Sequence, residues 1–252
     1  MALLSCFGCD NSPSKLTLFC GAGIRPAAAE LVEEFNSQSD KQIECDFAGS
    51  ELLLSRIKLS GQGDLYMPGD VHYVEQAESE GLIASYETAC YFIPVILVQE
   101  GNPKNIQTLA DLARSDVKLG LGDPKACAIG RKASRIFMKN NIDEDALDVV
   151  FRSLTVAELG TNVTLGSLDA AIVWDATAAY FSADTEVVGI PPPDNVISTV
   201  PIAVLKSSQD RATAARFVEF VTSPAGQKIF EKHHYTTKPP GPSIAKNKTF
   251  GF

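Results

Sequence analysis

The sequence predicts an α/β protein of two lobes, and three observations carry that expectation. Apolar runs of β character alternate with helical patterns almost throughout the chain after Lys15. The turns between them are short and rich in Gly, Pro and Asp. Two long β runs, 91–103 (YFIPVILVQEGNP) and 197–206 (ISTVPIAVLK), read as crossings by which the chain leaves one lobe and later returns to it. Such alternation favours parallel sheets, and ligands in these folds sit outside the carboxyl ends of the strands, here in the cleft between lobes.

The first unit is the clearest. Leu16, Leu18 and Phe19 form an apolar run that ends in Gly21-Ala22-Gly23, and Pro26 then opens a helix. Ala28, Leu31, Val32 and Phe35 fall on one stripe of it, the spacing of an amphipathic helix. A second strand-to-helix turn follows at Phe47-Ala48-Gly49-Ser50, where Ser50 is placed to cap a helix carrying Leu53, Leu54 and Ile57. Strands are expected at 16–20, 43–48, 64–67, 95–99, 118–121, 170–174, 186–190 and 197–205. Helices are expected at 26–37, 51–60, 71–80, 106–114, 129–140 and 209–221, with Ser223-Pro224 opening another. Residues 236–252 are rich in Pro, Lys and Asn without periodicity and read as an extended tail. No internal sequence repeat or low-complexity block appears.

Both early turns bear on function. A strand that turns through small residues into a helix leaves the first backbone N–H groups unpaired, and the helix dipole adds partial positive charge there. Two such turns in the first fifty residues favour an anion-binding site over a catalytic one.

Bulk properties narrow the classes further. The chain has 252 residues, 45% of them hydrophobic and 21% charged, and a net charge of −9. No basic stripe exists to neutralise phosphates, which argues against a nucleic-acid partner. The same charge gives no long-range attraction to anions, so an anion site here works locally. No run of eighteen apolar residues occurs. The start, MALLSCFGCDNSPSK, reads as the remnant of a bacterial lipoprotein signal followed by a linker over 1–14, with Cys6 or Cys9 as the lipidation candidate. A disordered cytosolic N-terminus is the alternative. Cys6 and Cys9 are spaced C-x-x-C but lack a second pair or nearby His, so no metal site is expected. Cys20, Cys45 and Cys90 lie in or beside apolar strands and read as small buried hydrophobes.

The order of motifs along the chain resembles the periplasmic molybdate- and tungstate-binding proteins of ABC importers, within the type II periplasmic binding protein fold. The resemblance rests on FCGAGIRPAAAELVEEF, AGSELLLSRI, GDLYMPGDVHYVEQAESEGLI, IPVILVQEGNP, GDPKACAIGR, LDAAIVWDATAA and VPIAVLKSSQD…AARFVEFVTSPAGQKIF. It implies discontinuous lobes joined by a two-strand hinge. The first comprises 15–95 and 201–235, the second 96–200, with a C-terminal tail at 236–252. It also implies an extracytoplasmic monomer that binds a small oxyanion and meets an ABC permease, without cofactor, metal or catalysis. A binding protein for another oxyanion or small organic acid, or a ligand-sensing domain of this fold, is the alternative.

Carried over by position, the resemblance implies ligand contacts at Ala22, Gly23, Gly49, Ser50, Cys127, Ala128, Asn162, Val163 and Trp174, with Asp175 beside them. Two departures stand out. Gly23 replaces a serine and removes a hydroxyl donor, and Trp174 occupies a late position held by tyrosine or a carboxylate. Arg25 is the candidate replacement donor, or else a solvent-facing first-turn residue. Trp174 is a donor to ligand or a buried core aromatic. Asp175 is a candidate anchor for Arg25 or for a cation accompanying the ligand. Cys127 lies near a helix start that lowers a thiol pKa. A nucleophilic role needs a base, and the three histidines, His72, His233 and His234, lie in a different helix and near the tail. His233-His234 suits a helix C-terminus better than a metal. Asp64, Asp70 and Asp123 are assigned to turns and caps.

Overall fold

The computed structural model describes residues 15–239. The expectations for the lipoprotein remnant at 1–14 and for the tail beyond 239 lie outside the described residues.

Two five-stranded sheets share one plan. The first contains β1 (Lys15–Gly21), β2 (Gln42–Ala48), β3 (Leu65–Met67), β4 (Ile83–Phe92) and β10 (Ser198–Leu205), in the order β2-β1-β3-β10-β4. The second contains β5 (Pro94–Gln99), β6 (Leu119–Gly122), β7 (Val149–Ser153), β8 (Ala170–Trp174) and β9 (Thr185–Gly189), in the order β7-β6-β8-β5-β9. Each sheet has a parallel trio, β2-β1-β3 or β7-β6-β8. In each, the fourth position is filled by a strand that arrives from the other sheet and runs antiparallel to both neighbours, β10 or β5. The sheets are therefore mixed rather than parallel, because a crossing strand enters against the direction of its hosts.

Helices α1 (Arg25–Ser37), α2 (Ser50–Ser60) and α3 (Val71–Ser79) accompany the first sheet, joined late in the chain by α7 (Arg211–Thr222) and α8 (Pro224–Lys232). Helices α4 (Ala128–Lys139), α5 (Val156–Thr164) and the short α6 (Asp175–Ala179) pack on the second. The α1 stripe buries Ala27, Ala28, Leu31, Val32 and Phe35, at roughly 1.5–3 kcal/mol for each large side chain. Phe35 meets the Phe217 ring of α7 edge-on with centroids 5.1 Å apart, which ties the first helix to the returning segment. Gly61, at φ +61°, ends α2 in the left-handed conformation that side chains disfavour.

The crossings are tightly held. The apparent single run at 91–103 is two strands in different sheets, parted at Ile93. Asp175 locks that break: its N–H donates to the Ile93 carbonyl at 2.8 Å, and its carboxylate accepts from the Ile93 N–H at 3.2 Å. Asn195, in the return, donates to the Pro94 carbonyl at 2.9 Å, joining the two crossings. Tyr91 and Thr236 form an isolated bridge, so the first residue of the expected tail is held against β4.

Other departures have local causes. The helix expected at 106–114 is only a 3₁₀ segment, Leu109–Ala113. Asn102 clasps both the N–H and the carbonyl of Ile106, and Asn102 and Asn105 adopt positive φ, so the chain turns where a helix would begin. Strands β4 and β7 were not expected as such, since exposed polar residues such as Ser85, Glu87 and Arg152 interrupt their apolar patterns. Among the described residues, no helix is long and apolar enough to cross a membrane.

Candidate functional site

A small cavity lies where the two sheets face each other. It is lined by Gly21, Ala22, Gly23, Ala48, Gly49, Ser50, Gly69 and Phe92 on one side and by Cys127, Ala128, Ile129, Leu154, Thr155, Val156 and Trp174 on the other. The walls carry no charged side chain.

What the walls carry instead is helix starts. The segments whose N-cap residues are Gly21, Gly49, Cys127, Thr155 and Trp174 all begin without a side-chain cap, and each of those residues lines the cavity. Their first-turn N–H groups therefore have no capping side chain to satisfy them. Small residues at these turns leave room for a ligand to approach the backbone. Ser50 adds a hydroxyl. It is 3% exposed and accepts from the Gly69 N–H at 3.1 Å, which leaves its own proton to be offered. The Tyr66 hydroxyl donates to the Ser50 carbonyl at 2.9 Å and fixes the turn from below.

The two sides touch. A β-carbon on Gly49 would lie 2.6 Å from the Ala126 carbonyl oxygen and 3.1 Å from that of Leu154. A β-carbon on Gly23 would lie 3.1 Å from a Val156 methyl and 3.3 Å from Trp174 Nε1. The cleft is thus closed, and its closure depends on these glycines. Trp174 is 2% exposed and stacks on Phe92 with centroids 4.6 Å apart and planes 6° from parallel. No protein acceptor for its Nε1–H is found among the described residues. The Tyr235 hydroxyl donates to the Gly23 carbonyl at 2.7 Å, so the late chain braces the first turn.

Of the residues singled out from sequence, the structure gathers Ala22, Gly23, Gly49, Ser50, Cys127, Ala128 and Trp174 around the cavity. Four lie elsewhere. Arg25 is exposed, with its guanidinium 4.1 Å from the centre of the Phe47 ring. Asp175 serves the Ile93 crossing. Val163 is fully buried, and the Asn162 amide donates to the Glu158 carbonyl within α5. Both belong to the far end of α5, roughly 10 Å along its axis from the start that faces the cavity.

That start, Thr155-Val156, escaped the sequence reading. The signal was present, because Thr155-x-x-Glu158 before an apolar run is a capping-box pattern. In the fold Glu158 instead accepts a short hydrogen bond from Ser153, and the helix start stays open. Gly69 was also missed. It sits in a Pro-Gly-Asp turn that reads as mere punctuation.

Cys127 does not have the character of a nucleophile. Burial pushes its thiol up to about 11, and its S–H faces the carbonyls of Asp123 and Ser153 at 3.6 and 3.7 Å. Among the described residues, no group of three or more His, Cys, Asp or Glu side chains is placed to hold a metal ion.

Two lobes of like topology, closed over a cavity walled by open helix starts, define a type II periplasmic binding protein. Comparison with known sequences agrees: the pattern of bacterial extracellular solute-binding proteins matches residues 16–236, and the chain belongs to that family. It is 27% identical over 227 residues to the molybdate-binding protein ModA of Mycobacterium tuberculosis, covering 89% of this chain and 85% of the relative. Its fold matches the periplasmic molybdate-binding protein of Azotobacter vinelandii with a TM-score of 0.71 at 16% identity, over 89% of this chain and all of the other. It also matches the sulfate-binding protein SubI of Mycobacterium tuberculosis with a TM-score of 0.76 at 18% identity, over 92% and 89% of the two chains.

Proposed function

We propose that the cavity binds one small, fully ionised tetrahedral oxyanion and that the protein delivers it to the membrane permease of an ABC importer. The observation that carries this reading is the convergence of uncapped helix starts from both sides on a cavity without charged walls. Such a site offers donors almost exclusively. It suits a ligand that accepts hydrogen bonds on every face, and leaves a protonated anion's O–H without a side-chain carboxylate to receive it. Cations are disfavoured for the same reason.

Molybdate or tungstate is the leading ligand, supported by the relatives. Gly23 and Trp174 favour a second reading, in which another oxyanion such as sulfate, or a small carboxylate, is the cargo. At Gly23 the hydroxyl donor is gone, and Trp174 supplies one N–H beside a flat apolar wall. We place the protein outside the cytoplasm as a monomer, anchored by a lipid on Cys6 or Cys9.

A thermal-shift screen with molybdate, tungstate, sulfate, phosphate and small carboxylates tests both readings. A ligand at a hundred times its dissociation constant adds about 2.7 kcal/mol of stability, which for a chain of this size raises the midpoint by several degrees. Shifts with molybdate and tungstate but not sulfate support the first reading. A shift with sulfate or a carboxylate alone replaces it with the second, and no shift with any of them refutes both.

A further inference from the structure

Directly behind the cavity lies an ion pair that the binding site itself does not use. Asp70, the N-cap of α3, belongs to the first lobe, and Lys132 lies on α4 of the second. Lys132 Nζ stands 2.5 Å from the Asp70 carboxylate, with the two side chains only 6% and 7% exposed. The ammonium also donates to the Ile197 carbonyl at 3.2 Å, at the returning crossing. One lysine thus touches both lobes and the strand that joins them. The Arg131 guanidinium over the Tyr73 ring, 5.8 Å from its centre, makes a second contact between the same two helices.

The pair is linked to the cavity. Ser198, the first residue of β10, donates to the Asp70 carboxylate and stands 2.8 Å from the Gly69 carbonyl. The Gly69 N–H donates to Ser50 Oγ. An unbroken path therefore runs from Lys132 through Asp70, Ser198 and Gly69 to the one serine hydroxyl that faces the ligand space. Gly69 is wedged in place, since a β-carbon there would lie 3.1 Å from that of Ala128, at the start of α4. A buried charge pair is costly unless its partners are well placed, and it specifies geometry more than it adds stability.

We infer that Asp70 and Lys132 are positioning residues of the anion site, orienting Ser50 through Ser198 and Gly69 in register with the second lobe. The inference deepens the anion-binding reading and rests on it for its effect on affinity, while the effect on Ser50 itself does not need a ligand. The pair touches no ligand space, so its influence is relayed rather than direct.

The test uses the full chain with Ser198→Ala, Lys132→Met and Ser50→Ala, singly and as the doubles with Ser50→Ala. Hydrogen exchange is followed on the ligand-free protein, and affinity by calorimetric titration with molybdate. Lys132→Met strands a buried carboxylate and risks the fold, whereas Ser198→Ala leaves the ion pair whole and keeps the test decisive. Ser198→Ala is expected to raise exchange in peptides covering 49–54, which it does not contact, and to weaken molybdate binding about fivefold. In the Ser50→Ala background the same substitution is expected to cost less than about twofold, because the group being positioned is gone. A purely structural role gives equal losses in both backgrounds. Unchanged exchange at 49–54 in Ser198→Ala, or equal losses in both backgrounds, overturns the inference. If the unmodified protein binds no molybdate, the ligand reading falls, and the exchange result alone decides the relay.

Discussion

Helix starts in this molecule fall into two groups that differ in one respect. Those at the periphery are capped by side chains: Asp210 accepts from the Thr213 N–H at 3.1 Å, Ser223 from Gly226 at 3.2 Å, and Thr108 and Asp111 form a full capping box. Those at the cavity, behind Gly49, Cys127 and Thr155, have none. A good cap is worth about 1 kcal/mol, so the open starts forgo stability that the rest of the protein collects. The difference is what the proposed anion site calls for. Under the proposed function, an anion entering the cavity would supply to several helices at once the acceptors that Asp, Ser and Thr supply one by one elsewhere.

The contrast breaks most sharply at Gly49. Gly49→Val places a branched side chain against the Ala126 carbonyl, where even a β-carbon comes within 2.6 Å. The lobes are then held apart, and anion affinity is expected to fall on the order of a hundredfold, by calorimetry, because the closed state is no longer populated. Ser50→Ala removes one hydroxyl and leaves the backbone donors. Affinity should fall about tenfold, the weight of one hydrogen bond to a charged acceptor, and the melting temperature should drop by a few degrees because the buried Gly69 N–H loses its acceptor.

At the other pole, Asp210→Ala should cost about 1 kcal/mol of stability and lower the melting midpoint by roughly 2–4 °C. Its anion affinity should equal that of the unmodified protein. A measurable loss of affinity there would erase the distinction between the two groups.

Acid separates the groups by a subtler route. The Asp210 carboxyl is held below the usual carboxylate range by hydrogen bonds from the Thr213 N–H and hydroxyl. Burial would raise Asp70, but the Lys132 charge, with hydrogen bonds from Lys132, Ser198 and the His72 N–H, brings it below its ordinary value. Both groups contribute stability that is present above the ordinary carboxylate pKa and lost as pH falls through their lowered values. Denaturant midpoints should therefore decline only below about pH 4. The cavity walls carry no carboxylate or imidazole, so affinity for an anion that stays fully ionised should hold within about twofold from pH 5 to pH 8.

Much of the fold was legible because it rests on local pattern. The α1 stripe of Ala28, Leu31, Val32 and Phe35 and the α7 face of Ala214, Phe217, Val218 and Val221 announce themselves at helical spacing. The shared plan of the two sheets was not legible, because strand order is a long-range property and the lobes show no repeat in sequence. At the site, the turns at Gly23 and Ser50 could be read because a strand passes through small residues into a helix. The start at Thr155 was hidden behind a capping pattern whose glutamate bonds elsewhere. Of the two readings of Arg25, donor to a ligand or solvent-facing first-turn residue, its exposure and its place over the Phe47 ring fit the second.

The fourth strand of the first sheet has a consequence for the timing of assembly. Until β10 arrives, β3 and β4 are unjoined edges, and the partners Tyr66 and Ala203 lie more than half the chain apart. Closing so large a loop is slow, and the leading half of the protein cannot finish its own core while the trailing part is still being synthesised. A polypeptide built this way keeps its first sheet open until the segment at Ser198–Leu205 has been made.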